Sequence, residues 1–151
     1  MLDKKFWLDV GKRVVTRYRS WIFDDAGGGK NAKDVYGNPF PPYKRPYSAR
    51  KATGKLKRQA SKHRDSTSPV LTGDLMRDFK LRKTTEEGFT FGTTSHGSKV
   101  KSLDRNNRTI SDAEKPIPDD IRDFLMEEAT KYVNKKRLLP RKKTPKINIG
   151  L

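Results

Sequence analysis

Apolar residues recur every four positions near the start of the chain, which predicts an amphipathic helix. The stripe begins with Phe6, Val10, Val14 and Tyr18, and Trp21 and Ile22 extend it. Residues 14–18 are mainly β-branched or aromatic, which lowers helix propensity, so residues 14–23 could continue the helix or form a strand. Residues 24–29 end the element. Their three glycines lack the Gly-Lys-Ser/Thr order of a phosphate-binding loop and predict a flexible hinge.

The middle of the chain carries its densest apolar stretch, residues 68–94, which predicts a short helix followed by a β-hairpin. Leu75 and Phe79 are four residues apart and therefore share one helical face, and Thr72 is a candidate N-cap. Residues 80–84 and 89–93 are then candidate strands on either side of a Thr-Glu-Glu-Gly turn. This helix–hairpin unit is the predicted centre of the fold.

A second amphipathic helix is predicted over residues 117–139. Pro118 and two aspartates form its first turn, where the helix dipole favours negative charge. Basic residues gather at its other end, and Pro140 ends it. Glu127 and Lys131 have the spacing of a surface ion pair. The apolar stripe predicted to cover the sheet consists of Ile121, Phe124, Leu125, Ala129, Tyr132 and Val133.

The segment between the first helix and the central unit is rich in proline and aromatic residues. Prolines fix φ and exclude a central strand, so residues 34–47 are predicted to be extended. The segment could bind proline-recognition modules or lie as a strap across this domain or a neighbouring subunit, and we favour the strap. Its candidate interface residues are Pro39, Phe40, Tyr43 and Tyr47.

The basic residues are concentrated in arms. Between Pro41 and Arg64 there are nine lysines or arginines and no acidic residue, and residues 48–64 could form a polar helix or a loop. We interpret this segment as a partner-facing arm, with contact to DNA phosphates as the alternative. The residues predicted to contact a polyanion or an acidic partner are Arg50, Lys51, Lys55, Lys57, Arg58, Arg141, Lys142 and Lys143.

The C-terminal tail ends with apolar residues at strand spacing, Ile147, Ile149 and Leu151, which suggests a strand added to another subunit's sheet, with a disordered end as the alternative. The organisation predicted from the whole sequence is one α+β domain, in which a small antiparallel sheet is flanked by an N-terminal and a C-terminal helix. Its parts are the hinge, strap and basic arm at 24–67, the helix–hairpin core at 68–94, a long loop at 95–116, the C-terminal helix at 117–139 and an extended basic tail at 140–151.

Composition narrows the function classes. Among 151 residues, 35 are basic and 18 acidic, which gives a net charge of +17 and points to polyanionic or acidic partners. The hydrophobic share of 32% allows only a small core. The chain has no cysteine, no apolar run long enough to span a membrane and no signal-peptide pattern, so we expect no disulfide and no membrane association.

Signals for catalysis are weak. His63 and His96 lie in the basic arm and the loop without the spacing of a metal site, and no serine stands in a Gly-x-Ser-x-Gly elbow. The paired carboxylates lie at predicted turns and helix faces, where turn chemistry and helix dipoles explain them. We therefore expect neither enzymatic activity nor a cofactor.

Two segments resemble a family of phage proteins. The run Pro69-Val-Leu-Thr-Gly-Asp-Leu-Met-Arg-Asp-Phe79 resembles the L-T-G-x-L-x-x-S/D-[IF] segment of virion-morphogenesis and tail-completion proteins of tailed bacteriophages. The run Asp34-Val-Tyr-Gly-Asn-Pro-Phe-Pro-Pro-Tyr43, followed by Tyr47 and Lys51, resembles the family's D-P-x-G-x-x-W-x-P-L-x-x-x-Y-x-x-x-K segment, with Phe40 at an aromatic position. Beyond Thr94 only fragments of the family's pattern remain, around His96 and Ile117-Pro118.

This resemblance implies a structural virion protein with an α+β domain. It implies a ring, six-fold by expectation, in the neck or tail of the particle, assembled in the host cytoplasm and in contact with portal, adaptor or tail-tube proteins and packaged DNA. Ring contacts would then use the strap residues, the 95–116 loop and the tail residues Ile147 and Ile149. The alternative is a basic nucleic-acid-binding protein of the ribosomal or architectural type, which the charge also fits.

Overall fold

The computed structural model describes residues 2–44, 47–56, 64, 68–69, 73–105 and 108–138 of the chain. It confirms the α+β class with helices at both ends of the fold and a two-stranded antiparallel sheet. No helix in these ranges combines the length and the apolar character needed to cross a membrane. The elements are α1 Lys4–Phe23, α2 Tyr47–Ala52, α3 Asp74–Asp78, β1 Lys80–Thr84, β2 Phe89–Gly92, α4 Gly97–Arg105 and α5 Asp119–Leu138.

Helix α1 forms the centre of the fold and continues through the stretch that the sequence left open. The side chain of Asp3 caps it by accepting a hydrogen bond of 2.9 Å from the Phe6 amide. It ends at Asp24, whose φ of 45° is left-handed. Tyr18, Ile22 and Phe23 are fully buried. Their burial outweighs the low helix propensity of the β-branched run, since packing stabilises a helix more than propensity does.

The predicted hairpin is confirmed. Strands β1 and β2 pair antiparallel with Leu81 opposite Phe91, and a bulge follows Leu81. The turn closes through a 2.8 Å hydrogen bond from the Thr85 amide to the Gly88 carbonyl. The hairpin packs directly on α1 at Gly11, where an added Cβ would lie 3.0 Å from the Leu81 side chain. Glycine therefore permits the close approach of helix and sheet.

Helix α5 packs against α1 in the antiparallel direction. Arg17, in the second half of α1, stacks on the ring of Phe124 near the start of α5, at 4.0 Å from the ring centroid. At the other end, the Asp3 carboxylate accepts hydrogen bonds from the Tyr132 hydroxyl at 2.5 Å and from Lys136 at 2.9 Å. The predicted pair of Glu127 and Lys131 is present at 2.7 Å. The main partner of α5 is α1, which carries the sheet on another side.

The predicted loop at 95–116 contains helix α4, which sequence analysis missed. Its Val100 and Leu103 are partly buried against the core. The segment just before α4 is anchored as well, because the Asp78 carboxylate accepts hydrogen bonds from the Thr94 and Ser95 amides at 2.9 and 3.0 Å. Residues 95–116 are therefore only partly a loop.

The predicted glycine hinge forms a set of tight turns. The Gly29 amide donates to the Asp24 carbonyl at 2.9 Å, and the Asn31 amide donates to the Asp24 carboxylate at 2.8 Å. Gly29 has a φ of +88°, and an added Cβ would lie 2.3 Å from the Cβ of Ser68. The glycine is required both for its backbone conformation and for close packing, and flexibility of this segment stays a prediction.

The short helices α2 and α3 agree in part with the predictions made from the sequence. Leu75 and Phe79 are both buried, as their spacing predicted, and α2 gives residues 47–52 of the basic arm a helical form. The predicted cap Thr72 lies outside the described residues, and Gly73, with a φ of 86°, occupies the N-cap position of α3. The C-terminal tail at 140–151 also lies outside them.

Candidate assembly surface

The strap lies across its own domain. The Asp34 carboxylate accepts from the amides of Tyr36 and Asn38 at 2.9 and 2.8 Å, which folds residues 34–38 into a turn. The indole of Trp21 donates to the Asp34 carbonyl at 2.9 Å and ties this turn to the end of α1. Phe40 is 3% exposed and belongs to the core. Its prediction as an interface residue is therefore wrong, whereas Pro39 is exposed and stays a candidate.

The next strap residues build a cation–aromatic cluster with a residue from beyond α4. The rings of Tyr43 and Tyr47 are 4.8 Å apart, and the guanidinium of Arg108 lies 3.7 Å from the Tyr43 ring centroid. Arg108 also donates to the Pro41 carbonyl. Lys51 lies 5.0 Å from the Tyr43 ring and donates to the carbonyl of Ser68. We call this set the strap cluster: Tyr43, Tyr47, Lys51, Ser68 and Arg108.

The strap cluster is buried, and burial shifts its titrating groups. Arg108 is 2% exposed and Lys51 is 0% exposed. Burial raises the pKa of the Tyr43 and Tyr47 hydroxyls, although the positive charge of Arg108 opposes the shift. Burial also lowers the pKa of Arg108. Carbonyl oxygens and ring faces replace the water that these cations lose, so the cluster joins four separate segments of the chain.

This arrangement corrects the sequence analysis at Lys51. A lysine with no accessible surface cannot meet a polyanion, so its assignment as a contact residue is wrong. Tyr43 and Tyr47 are half-buried in the same cluster and turn mainly towards their own domain. Arg50 and Lys55 are exposed and remain predicted contacts. The other predicted site residues lie outside the described ranges: Lys57, Arg58, Arg141, Lys142, Lys143, Ile147 and Ile149.

Asp78 forms a second polar junction, between α3, β1 and α4. Its carboxylate lies 3.0 Å from Nδ1 of His96 and 3.1 Å from the Arg82 guanidinium. Burial by itself raises the pKa of Asp78, but the hydrogen bonds that its carboxylate accepts outweigh burial and hold that pKa below its usual range. His96 is thus a structural partner of an aspartate. The junction fixes the hairpin base relative to α4.

The histidine and carboxylate side chains in the part of the chain that the structure describes make no cluster of the metal-binding kind. These residues contain no group of three His, Cys, Asp or Glu side chains that could hold a metal ion. The carboxylates of α5 make ion pairs on the surface, such as Glu128 with Arg13 at 2.6 Å. The main features of the described surface are its charged side chains and its few exposed apolar side chains.

Sequence reasoning missed Arg108 altogether. It lies in the predicted loop among other basic residues, and no local pattern separates it from the exposed Lys99 or Lys101. One usable signal is its neighbour Ile110, which is buried and whose carbonyl accepts a 2.6 Å hydrogen bond from the Tyr18 hydroxyl. An isolated isoleucine in a polar loop predicts a local anchor to the core.

Comparisons with protein-family models, curated proteins and solved structures find no match to this chain. Its function therefore has to be inferred from its own residues and their geometry.

Proposed function

We propose that the chain is a structural virion protein of a tailed bacteriophage. It would be a tail-completion, tail-terminator or head–tail connector component that forms an oligomeric ring between portal or adaptor and tail. One observation carries the proposal: the two segments that resemble such proteins belong to a single three-dimensional unit. Phe40 from the first segment and Leu75 and Phe79 from the second are part of the same core.

The two segments are also joined by a specific polar contact. Lys51, the last residue of the first match, donates to the carbonyl of Ser68, the residue before the second match. Chance matches in a sequence carry no requirement to meet in space, whereas motifs of one domain do. The strap and the helix–hairpin unit therefore pack as parts of one module, which is the arrangement that the resemblance implies.

The described surface carries a few exposed apolar side chains among charged ones. The exposed large apolar residues among those described are Leu8, Tyr36, Met126 and Leu138. Isolated exposed apolar residues are normal on a protein surface, so the proposed partners follow from the resemblance and from the net charge of +17. In the proposed setting these partners are identical subunits, the portal or adaptor, the tail tube and packaged DNA, in the neck or tail of the particle.

Deletion of the gene from a phage that encodes the chain tests the proposal. We expect infected cells to accumulate DNA-filled heads and separate tails, because the ring that joins them is missing. Mass spectrometry of purified wild-type particles should also detect the chain at ring stoichiometry. Supplying the wild-type chain from a plasmid is the matched control and should restore joined particles. Normal joined particles without the chain would refute the proposal.

A nucleic-acid-binding function is the second candidate, and the exposed lysines on β1 and α4 favour it. Lys80 and Lys83 are exposed on β1, and Lys99 and Lys101 are exposed on α4. A protein that uses such residues to neutralise phosphates loses affinity steeply as salt rises. Submicromolar binding to a mixed-sequence duplex, with a log–log salt slope steeper than about −4, would favour this candidate over the virion role.

A further inference from the structure

The acidic residues of this basic chain are concentrated in one segment. Residues 112–128 contain seven acidic and two basic side chains, a local net charge of −5 in a chain of net charge +17. The segment covers the approach to α5 and its first half. The remainder of the chain is correspondingly more basic. The molecule is therefore electrically polar, with one negative region on a positive body.

The acidic side chains of α5 point away from the core. The side chains of Asp119, Asp123 and Glu127 are 55%, 71% and 63% exposed. Their spacing of four places them on one helical face, opposite the buried Ile121 and Phe124. Met126, which is 62% exposed, lies beside them. We call this surface the acidic face: Asp119, Asp120, Asp123, Met126 and Glu127.

The acidic face continues towards the strap. Lys115 lies 2.8 Å from Asp119 and 5.5 Å from the ring centroid of Tyr36. Tyr36 is 50% exposed, and its hydroxyl donates to the Asp112 carboxylate. A second exposed apolar group thus borders the same negative region. Apolar side chains surrounded by charged ones are the usual arrangement of a protein contact, with a dry centre and a polar rim.

A surface of opposite charge lies on α1. Lys4, Leu8 and Lys12 follow at spacings of four and share one face, where Leu8 is 38% exposed and both lysines are exposed. At about 100° per residue, Leu8 is about 200° around the helix from Phe6, which faces α5. This face therefore points away from α5. We call it the basic face: Lys4, Leu8 and Lys12.

We propose that the acidic face of one copy of this chain docks on the basic face of a second copy, with Met126 set against Leu8. The proposal rests on the proposed function, because it specifies the contact from which the ring is built. Two different surfaces on opposite sides of one subunit make a heterologous, head-to-tail contact. Such a contact closes into a ring when the rotation that relates neighbouring subunits is a whole fraction of a full turn.

Charge complementarity selects a second copy as the occupant. Asp119, Asp123 and Glu127 follow one another at spacings of four, as Lys4, Leu8 and Lys12 do. Lys115, Arg122 and Lys131 pair with these carboxylates within one copy, so docking exchanges these partners for Lys4 and Lys12 of the second copy. The net charge of +17 makes copies repel at long range. At about 0.15 M salt the screening length is about 8 Å, so the facing residues outweigh the charge of the whole body. Association should therefore weaken in very dilute salt.

Charge reversal with rescue tests the contact. Variant A carries Asp123→Lys with Glu127→Lys, and variant B carries Lys4→Glu with Lys12→Glu. Each alone should weaken self-association, measured by sedimentation velocity, by roughly tenfold per reversed residue, because an attraction becomes a repulsion. A mixture of A and B should associate again, since the surfaces of A and B are complementary. A misfolded variant could not give this rescue.

Matched controls reverse the same number of exposed charges elsewhere. Glu86→Lys with Glu87→Lys on the hairpin turn, and Lys99→Glu with Lys101→Glu on α4, should associate like the wild type. Equal association of all variants, or a mixture of A and B that stays monomeric, would overturn the proposal. A wild-type chain that stays monomeric up to its solubility limit in about 0.15 M salt would overturn it as well.

Disulfide trapping gives an independent readout, because the chain contains no cysteine. A mixture of Met126→Cys and Leu8→Cys chains should form a crossed disulfide under mild oxidation, whereas each variant alone should not. Only same-variant dimers would contradict the head-to-tail contact. Copies that associate in this way but are absent from virions would refute the virion role while leaving the contact intact.

Discussion

Helix α1 and the strap cluster hold the molecule together by different physical means. Around α1, apolar side chains such as Val14, Ile22 and Phe23 have no accessible surface, and the hydrophobic effect supplies the stabilisation. In the strap cluster, Lys51 and Arg108 are as deeply buried, and hydrogen bonds to carbonyls together with tyrosine faces compensate the loss of water. The first region depends on apolar area, and the second on the pairing of polar groups.

The difference shows why one region is robust to repacking and the other is specific. An apolar core tolerates changes that preserve volume. A buried cation tolerates no loss of its acceptors, because an unsatisfied buried polar group costs about 1–3 kcal/mol. The strap cluster fixes the strap, α2 and the Ser68 segment in one arrangement.

The largest effect is expected in the core of α1. Phe23→Ala removes a fully buried ring that lies 5.8 Å from the ring of Phe79. The cavity and the lost transfer free energy should lower the free energy of unfolding by about 3–5 kcal/mol, measured by urea denaturation. Met126→Ala, on an exposed side chain, should change it by less than about 0.5 kcal/mol. Similar losses in the two variants would contradict the description of the core.

The strap cluster should respond to loss of a charge at constant volume. Lys51→Met keeps much of the side chain but leaves the Ser68 carbonyl without this donor, and we expect a loss of about 1–3 kcal/mol in the same experiment. Lys55→Met, on an exposed lysine four residues later, is the matched control and should be nearly neutral. A stabilised Lys51→Met protein would show that the buried cation costs more than it contributes.

The junction between the two regions depends on Gly29. Gly29→Ala adds a Cβ at a φ of +88° and places it 2.3 Å from Ser68. Strain and displacement of Ser68 should lower the free energy of unfolding by more than about 1 kcal/mol. Gly97→Ala is the control, because nothing lies within 4 Å of an added Cβ there. An equally mild effect at both glycines would contradict the close packing of Gly29 on Ser68.

The smallest effect is an alkaline loss of stability shared by both regions. Burial raises the pKa of Tyr18 in the core and of Tyr43 in the strap cluster. A raised tyrosine pKa stabilises the folded state fully below about pH 10 and loses that contribution as pH rises through the folded pKa. Chemical denaturation between neutral pH and pH 11 should show this decline. Tyr18→Phe and Tyr43→Phe should each make it shallower, and unchanged slopes would refute the assignment.

The apolar core around α1 could be predicted well from the sequence. The stripe from Phe6 to Ile22, the helix–hairpin unit and the stripe of α5 follow from periodicity, because hydrophobic spacing records which face is buried. Propensity alone left residues 14–23 open, since only packing against the hairpin and α5 decides that α1 continues. Helix α4 escaped because its apolar content is limited to Val100 and Leu103.

The strap cluster and the acidic face could not be predicted from the sequence. Lys51 and Lys55 are both lysines in the same basic arm, yet one is buried and the other exposed. The contacts that bury Lys51 come from Tyr43 and Ser68, which depend on how distant segments pack. Likewise, the acidic face exists only because α5 turns Asp123 and Glu127 away from α1. Charge composition predicts the sign of the charge on the binding partners but not the side of the molecule that they contact.

The most direct test of the proposed assembly role is a high-resolution electron-microscopy reconstruction of the particle that contains this protein. We predict a closed ring of identical subunits between head and tail, in which the acidic face of each copy meets the basic face of the next. A map in which the joined neck contains no density for this chain would contradict the assignment.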